Sequence, residues 1–206
     1  MANKVSLSAM QEDMLKELFN LGVGKAAASL SEIVKQEILL SVPKVSFQTA
    51  AALIDMLGIE KKIVSIAQDI GGPFQARSIL LFHEDNSLVV VKQMLGEHIP
   101  EELLPELQEE ALTEIGNVVL NACIGAISKT MNKTFCVDIP SFQQAGPEQI
   151  FSSNNLRDDN VILLLEIDLT LKQSDISGYL AFIFSPDAVL NLQDEVNEML
   201  KRLGAA

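Results

Sequence analysis

The stretch ELFNLGVGKAAASLSEIV, Glu17–Val34, lies over EIGNVVLNACIGAISKTM, Glu114–Met131, at an offset of 97 positions, with Glu, Asn and the apolar positions coinciding. Repetition at a fixed offset decides a fold before any single element does. It continues along the chain: VSFQ at Val45–Gln48 meets PSFQ at Pro140–Gln143 at an offset of 95, and VSIAQDI at Val64–Ile70 meets VILLLEI at Val161–Ile167 at 97 again. The 206 residues therefore read as one domain, 1–206, made of two repeats at about 7–96 and 101–203, with GEHIPEE (96–102) as the link.

Each half opens with a long helical pattern. In the first, Leu15, Leu18, Leu21, Ala26, Leu30, Ile33 and Val34 recur at three- and four-residue steps and predict one apolar face. Gly22 and Gly24 inside it predict a kink or a very close backbone approach. The second half repeats the pattern from Glu101 to about Asn132, with Pro100 before it and Leu112, Ile115, Val119, Ile124 and Ile127 as the inward stripe. After each helix come a β-rich run, a short variable segment and two further β-rich runs: Ile63–Ile70 and Phe74–Phe82, then Val161–Leu171 and Ile176–Phe184. Gly71–Pro73 and Gln173–Asp175 are short enough to make hairpins. Helical stretches close each half, Asn86–Leu95 and Asp187–Leu203, the latter behind Ser185 as N-cap and Pro186 at the first turn. The expected fold is α+β: an internally duplicated, pseudo-two-fold domain with a β-sheet core and two long helices on one face.

Composition narrows the function. Hydrophobic residues make up 48% of the chain, too many for a disordered protein. The 28 acidic residues outnumber the 15 basic ones for a net charge of −13, so a phosphate backbone or an anionic bilayer repels it. No nucleic-acid or membrane partner is expected. The apolar stretches are broken by charge before the roughly 20 residues a transmembrane helix needs, and the N-terminus lacks a secretory pattern, which points to the cytoplasm. Cys123 and Cys136 lack metal-ligand spacing and read as buried or half-buried thiols; His83 and His98 read as surface residues. The acids Glu101, Glu102, Glu106, Glu109 and Glu110 read as a solvated helical face. No metal or cofactor is called for on this chain.

The feature that remains is the repeated pair Glu17/Asn20 and Glu114/Asn117. Residues i and i+3 project from one helical face, so each Glu and Asn can reach the same partner. A lone pair of this kind means little on an exposed helix; recurrence beside glycines in both halves gives it weight. Both pairs are expected to be exposed.

On these residues the chain resembles the CheC-like chemotaxis phosphatases, the CheC/CheX/FliY type, along nearly its whole length. The family pattern of a Glu, two residues, an Asn and a small or Gly-rich continuation reads here as ELFNLGVGKAAASL and EIGNVVLNACIGAI. The first copy departs from it at Phe19, where the family often has Gly, and at Lys25, where it often has Asn. The resemblance implies hydrolysis of the aspartyl phosphate of a CheY-type response regulator. Asn20 or Asn117 would orient the attacking water, and Glu17 or Glu114 would pair with the regulator's active-site Lys. The divalent ion, Mg²⁺, would sit on the partner regulator. The alternative is a non-catalytic adaptor binding a response regulator or the receptor deamidase CheD, since flagellar switch proteins share a similar fold without the Glu/Asn pairs.

Overall fold

A computed structural model describes residues 7–96, 100–154, 160–171, 174–202 and 204. The N-terminal helix α1, Ala9–Val34, is one continuous element. Ser8 starts it with a capping box, its hydroxyl accepting from Gln11 N–H while the Gln11 side chain accepts from Ser8 N–H. The helix runs unbroken through the glycines, and the expected close approach is there. A methyl group on Gly22 would stand 2.7 Å from the Cα of Cys123 on the second long helix, α4 (Leu104–Met131). Of the expected apolar stripe, Leu15, Leu18, Ala26 and Leu30 are buried, joined by Phe19 and Val23. Leu21 and Ile33 are about half exposed instead, because the buried stripe turns toward Gly22 and α4.

The strands are β1 (Ile38–Gln48), β2 (Ile63–Gly71), β3 (Ala76–His83), β4 (Cys136–Val137), β5 (Ser141–Ala145), β6 (Val161–Leu171) and β7 (Ser174–Phe184). They form one antiparallel sheet in the order β1-β6-β7-β3-β2, with β4 and β5 both on the outer side of β2. The two expected hairpins are β2–β3 and β6–β7. The first strand of each half pairs with the hairpin of the other: β1 with β6, β5 with β2. Exchanging the halves leaves this order unchanged, and Phe47 faces Leu163 as Phe142 faces Ile66.

Both faces of the sheet are covered. Helices α1, α4, α3 (Glu84–Leu95) and α6 (Pro186–Arg202) pack on one face, where Phe19 meets Phe182 at 5.1 Å between ring centroids. The other face carries two short helices where the sequence pattern predicts only variable segments, α2 (Ala50–Leu57) and α5 (Pro147–Ser153). They bury Leu53, Leu57, Ile150 and Phe151 against Ile63, Ile79, Ile162 and Leu164. A strand covered on both sides loses alternation, and Ile63–Gln68 is buried throughout. Thr49 caps α2 by accepting from Ala52 N–H, and Ser185 caps α6 by accepting from Ala188 N–H at 3.2 Å, as expected of the Ser-Pro start.

Helix α4 is long and apolar enough to cross a bilayer by composition, yet Leu112, Ile115, Val119, Leu120, Ile124 and Ile127 are buried in the core. Glu102, Glu106, Glu109 and Glu110 are exposed, as a solvated face requires. Two small readings change. Cys136 is exposed, not buried, because β4 is a two-residue strand at the sheet margin. His83 is half-buried, and desolvation, with the charge of Lys61 second, lowers its pKa below the usual imidazole value; His98 lies outside the described residues.

Candidate functional site

The helices α1 and α4 cross at Gly22 and Cys123 and carry the two Glu/Asn pairs. Gly116, next to Asn117, has no room for a methyl group against Ile66, so α4 lies directly on β2. Glu17 and Glu114 are exposed, and among the described residues neither has a hydrogen bond or ion pair. Each presents an unengaged carboxylate to solvent. Both asparagines are half-buried, which corrects the expectation that they stand clear of the surface.

Their amides are engaged differently. In the first half, β1 shifts register by one residue between Ser41 and Lys44, where Pro43 supplies no N–H for the ladder. The backbone freed there is taken up by Asn20. Its Oδ1 accepts from Val42 N–H at 2.9 Å, and its Nδ2 donates to Lys16 O at 3.0 Å and to Val42 O at 3.4 Å. Val42 is 1% exposed, so the carboxamide closes a buried bulge. Every hydrogen-bonding group of Asn20 that faces the protein is occupied.

In the second half the corresponding interruption falls between β4 and β5, at Asp138, Ile139 and Pro140. There it opens outward, leaving Ile139 90% exposed. Asn117 bonds to none of this backbone. Its Oδ1 accepts from Asn121 Nδ2 at 2.6 Å, and its own Nδ2 has no partner among the described residues. Beneath it lies Gln68 of β2, whose Nε2 donates to Asp138 O at 2.6 Å and reaches Asn121 Oδ1 at 3.5 Å. At the positions that the repeat offset of 97 matches to Asn121 and Gln68 stand Gly24 on α1 and Leu165 on β6, one without a side chain and one apolar.

Neither pair lines the concavities seen among the described residues. A concavity of about 460 Å³ lined by Asp69, Cys136, Asp138 and Ser185 contains none of the four residues. A site on an exposed helix face suits a macromolecular partner that brings its own pocket. Among the described residues no cluster of three His, Cys, Asp or Glu could hold a metal ion. Asn121 and Gln68 were not singled out from the sequence. Gln68 was signalled there as an uncharged polar residue in an apolar run, at a position where the other repeat has Leu165.

Comparison with known proteins gives a consistent result. The model of the CheC-like family matches residues 10–47, which hold most of α1 and nearly all of β1. The flagellar motor switch phosphatase FliY of Bacillus subtilis (strain 168) is 19% identical over 193 residues, 91% of this chain and 50% of the relative. The chain thus spans about half the length of that relative. The crystal structure of Thermotoga maritima FliY superposes with a TM-score of 0.76 at 16% identity, covering 95% of this chain and 100% of the other. A chain of the CheX–CheY–BeF3–Mg²⁺ complex from Borrelia burgdorferi superposes at 0.51 with 17% identity, covering 82% and 97%. At these identities the structural likeness establishes the shared fold. The family-model match over residues 10–47 is a likeness to the CheC-like family, and the FliY relative and the shared fold are likenesses in the same direction.

Proposed function

We propose that the chain is a cytoplasmic phosphatase acting on the aspartyl phosphate of a CheY-type response regulator, and that α4 is the helix that does it. The observation that carries this reading is the state of Asn117: its Nδ2 is unpartnered and it lies one turn from the unengaged carboxylate of Glu114. Such a regulator holds its phosphate in its own acidic pocket with a divalent ion and a Lys, so a phosphatase has mainly to deliver an aimed water.

Glu114 pairs with the regulator's Lys and sets the register of α4 across the pocket. Asn117 then faces the phosphorus. Its Oδ1 has one lone pair engaged by Asn121 and one free to accept from the water, while its Nδ2 donates toward the phosphoryl oxygens. The water oxygen bonds to phosphorus as the bond to the aspartate oxygen breaks. Carboxylate is the leaving group, and the water's protons depart with the inorganic phosphate. A hundredfold acceleration requires about 2.7 kcal/mol, within the reach of positioning alone.

For α1 the adaptor reading is the better one. Asn20 is committed to Val42, while Glu17 and Leu21 remain exposed, so α1 presents a binding face without a free amide. Its partner would be the same regulator or CheD. The test is single-turnover decay of a phosphorylated CheY-type regulator with Mg²⁺, comparing wild type with Asn117→Ala. Accelerated decay that is lost in the variant supports the phosphatase; decay unchanged by the wild-type chain across several regulators overturns it.

A further inference from the structure

Gln68 is a neutral amide 2% exposed in the centre of a strand, and its Oε1 has no hydrogen-bond partner. Burial of a half-satisfied carboxamide is costly, and replacing it with an apolar residue of similar volume is ordinarily neutral or better. The other half of this chain has made that choice with Leu165, which is fully buried on the same face of the sheet. The polar residue stands under the helix whose Asn is free, and the apolar one lies on β6, the partner strand of β1, to whose Val42 the other Asn is tied.

The remaining members of the group follow the same division. Asn121 is one turn along α4 from Asn117 and donates to its Oδ1 at 2.6 Å; Gly24 occupies the matching place on α1 with open space around it. Gln68 Nε2 lies between Asn121 Oδ1 and Asp138 O, at 3.5 Å and 2.6 Å. Asp138 is itself fixed, its N–H donating to Asp69 O at 3.0 Å. A carboxamide whose oxygen is claimed by a donor from below cannot rotate its nitrogen inward without losing that bond. The result is one orientation of Asn117, with Nδ2 outward.

We propose that Asn121 and Gln68 are positioning residues for Asn117: Asn121 fixes which end of the Asn117 amide faces the partner, and Gln68 holds Asn121 against the sheet. Neither touches the phosphate. This inference rests on the reading of α4 as the hydrolytic helix. It accounts for the difference between the repeats without any contact from the regulator, because the orientation is built into the free protein.

The experiment measures single-turnover decay of a phosphorylated CheY-type regulator over a range of phosphatase concentrations, for wild type, Asn121→Ala and Gln68→Leu. Alanine is a good helix former at Asn121, and Leu at Gln68 copies the other repeat, so both variants are expected to fold. The rate constant at saturation should fall about tenfold in Asn121→Ala and less in Gln68→Leu, as expected for a misaimed group. The half-saturation concentration should stay within about twofold of wild type. Adding Gln68→Leu to Asn121→Ala should change nothing further.

A saturating rate within about twofold of wild type in Asn121→Ala overturns the positioning role and leaves the phosphatase reading standing. So does a loss confined to half-saturation, which would make Asn121 a docking residue. If the wild-type chain itself fails to accelerate decay, the phosphatase reading falls, and the side-chain amide NMR signals of Asn117 decide the rest. Movement of those signals in Asn121→Ala supports the orienting bond; signals unchanged from wild type refute it.

Discussion

The two long helices carry the same pair of residues at the same spacing, and their asparagines do opposite things. Asn20 turns into the protein and completes the buried bulge at Val42, while Asn117 is held from below by Asn121 and keeps its nitrogen toward solvent. The model of the CheC-like family matches the first of these, so sequence likeness and a free amide separate along this chain. A motif residue is available for chemistry only if the backbone beside it needs no repair. Where β1 carries an inward bulge, the amide is consumed; where β4 and β5 part and Ile139 swings out, it is released.

The sharpest test of that contrast is Asn117→Ala, which should lower turnover at saturation about a hundredfold, some 2.7 kcal/mol. Its affinity for a regulator charged with beryllofluoride should change little. Loss of binding in step with loss of rate would make Asn117 a docking residue and erase the proposed division between Asn and Glu. Next in size, Glu114→Ala should raise the half-saturation concentration by about tenfold, as for a charge-assisted hydrogen bond, with the effect shrinking at high salt. The same change at Glu17 reports whether α1 docks at all.

Asn20→Ala should reverse the pattern. It leaves Val42 N–H buried without an acceptor, at a cost of about 2 kcal/mol and a fall of roughly 4–8 °C in Tm. Turnover at a temperature where the variant remains folded should stay near wild type. A stable but inactive Asn20→Ala protein would break the comparison outright. The smallest effect concerns the helix crossing, where burial pushes the Cys123 thiol up to about 12. In native protein at pH 8 iodoacetamide should modify the exposed Cys136 and spare Cys123. Continued protection of Cys123 in Asn20→Ala would show that the damage stays local to the bulge.

Long periodic segments carried most of the fold in the sequence. The stripes Leu112 to Ile127 and Leu15 to Leu30 identified both helices, and the apolar runs at 63–70 and 161–171 identified the hairpins. Helices α2 and α5 escaped because eight and seven residues complete too few turns to display a period. Their local signal was the cap chemistry of Thr49 and of Gly146-Pro147. The outward turn of Leu21 was hidden for a different reason: Gly22 rotates the buried stripe toward α4, and a glycine has no hydropathy to reveal that. At the candidate site, spacing singled out four residues but not their engagement, since that depends on where a strand from elsewhere in the chain places one N–H group.

The exchange of first strands between the halves also bears on how the chain assembles. Val45 pairs with Leu165, 120 positions later, and Ile66 with Phe142, 76 positions later. Loop closure over such separations must precede most of the sheet's gain in free energy, which makes for high contact order and slow, concerted folding. During synthesis β1 waits without a sheet partner until β6 has emerged, resting on α1 through bonds such as Ile38 N–H to Ser31 Oγ. A fragment ending at Gly96 would keep the β2–β3 hairpin and leave β1 with an unpaired edge, an invitation to join the same strand of another copy.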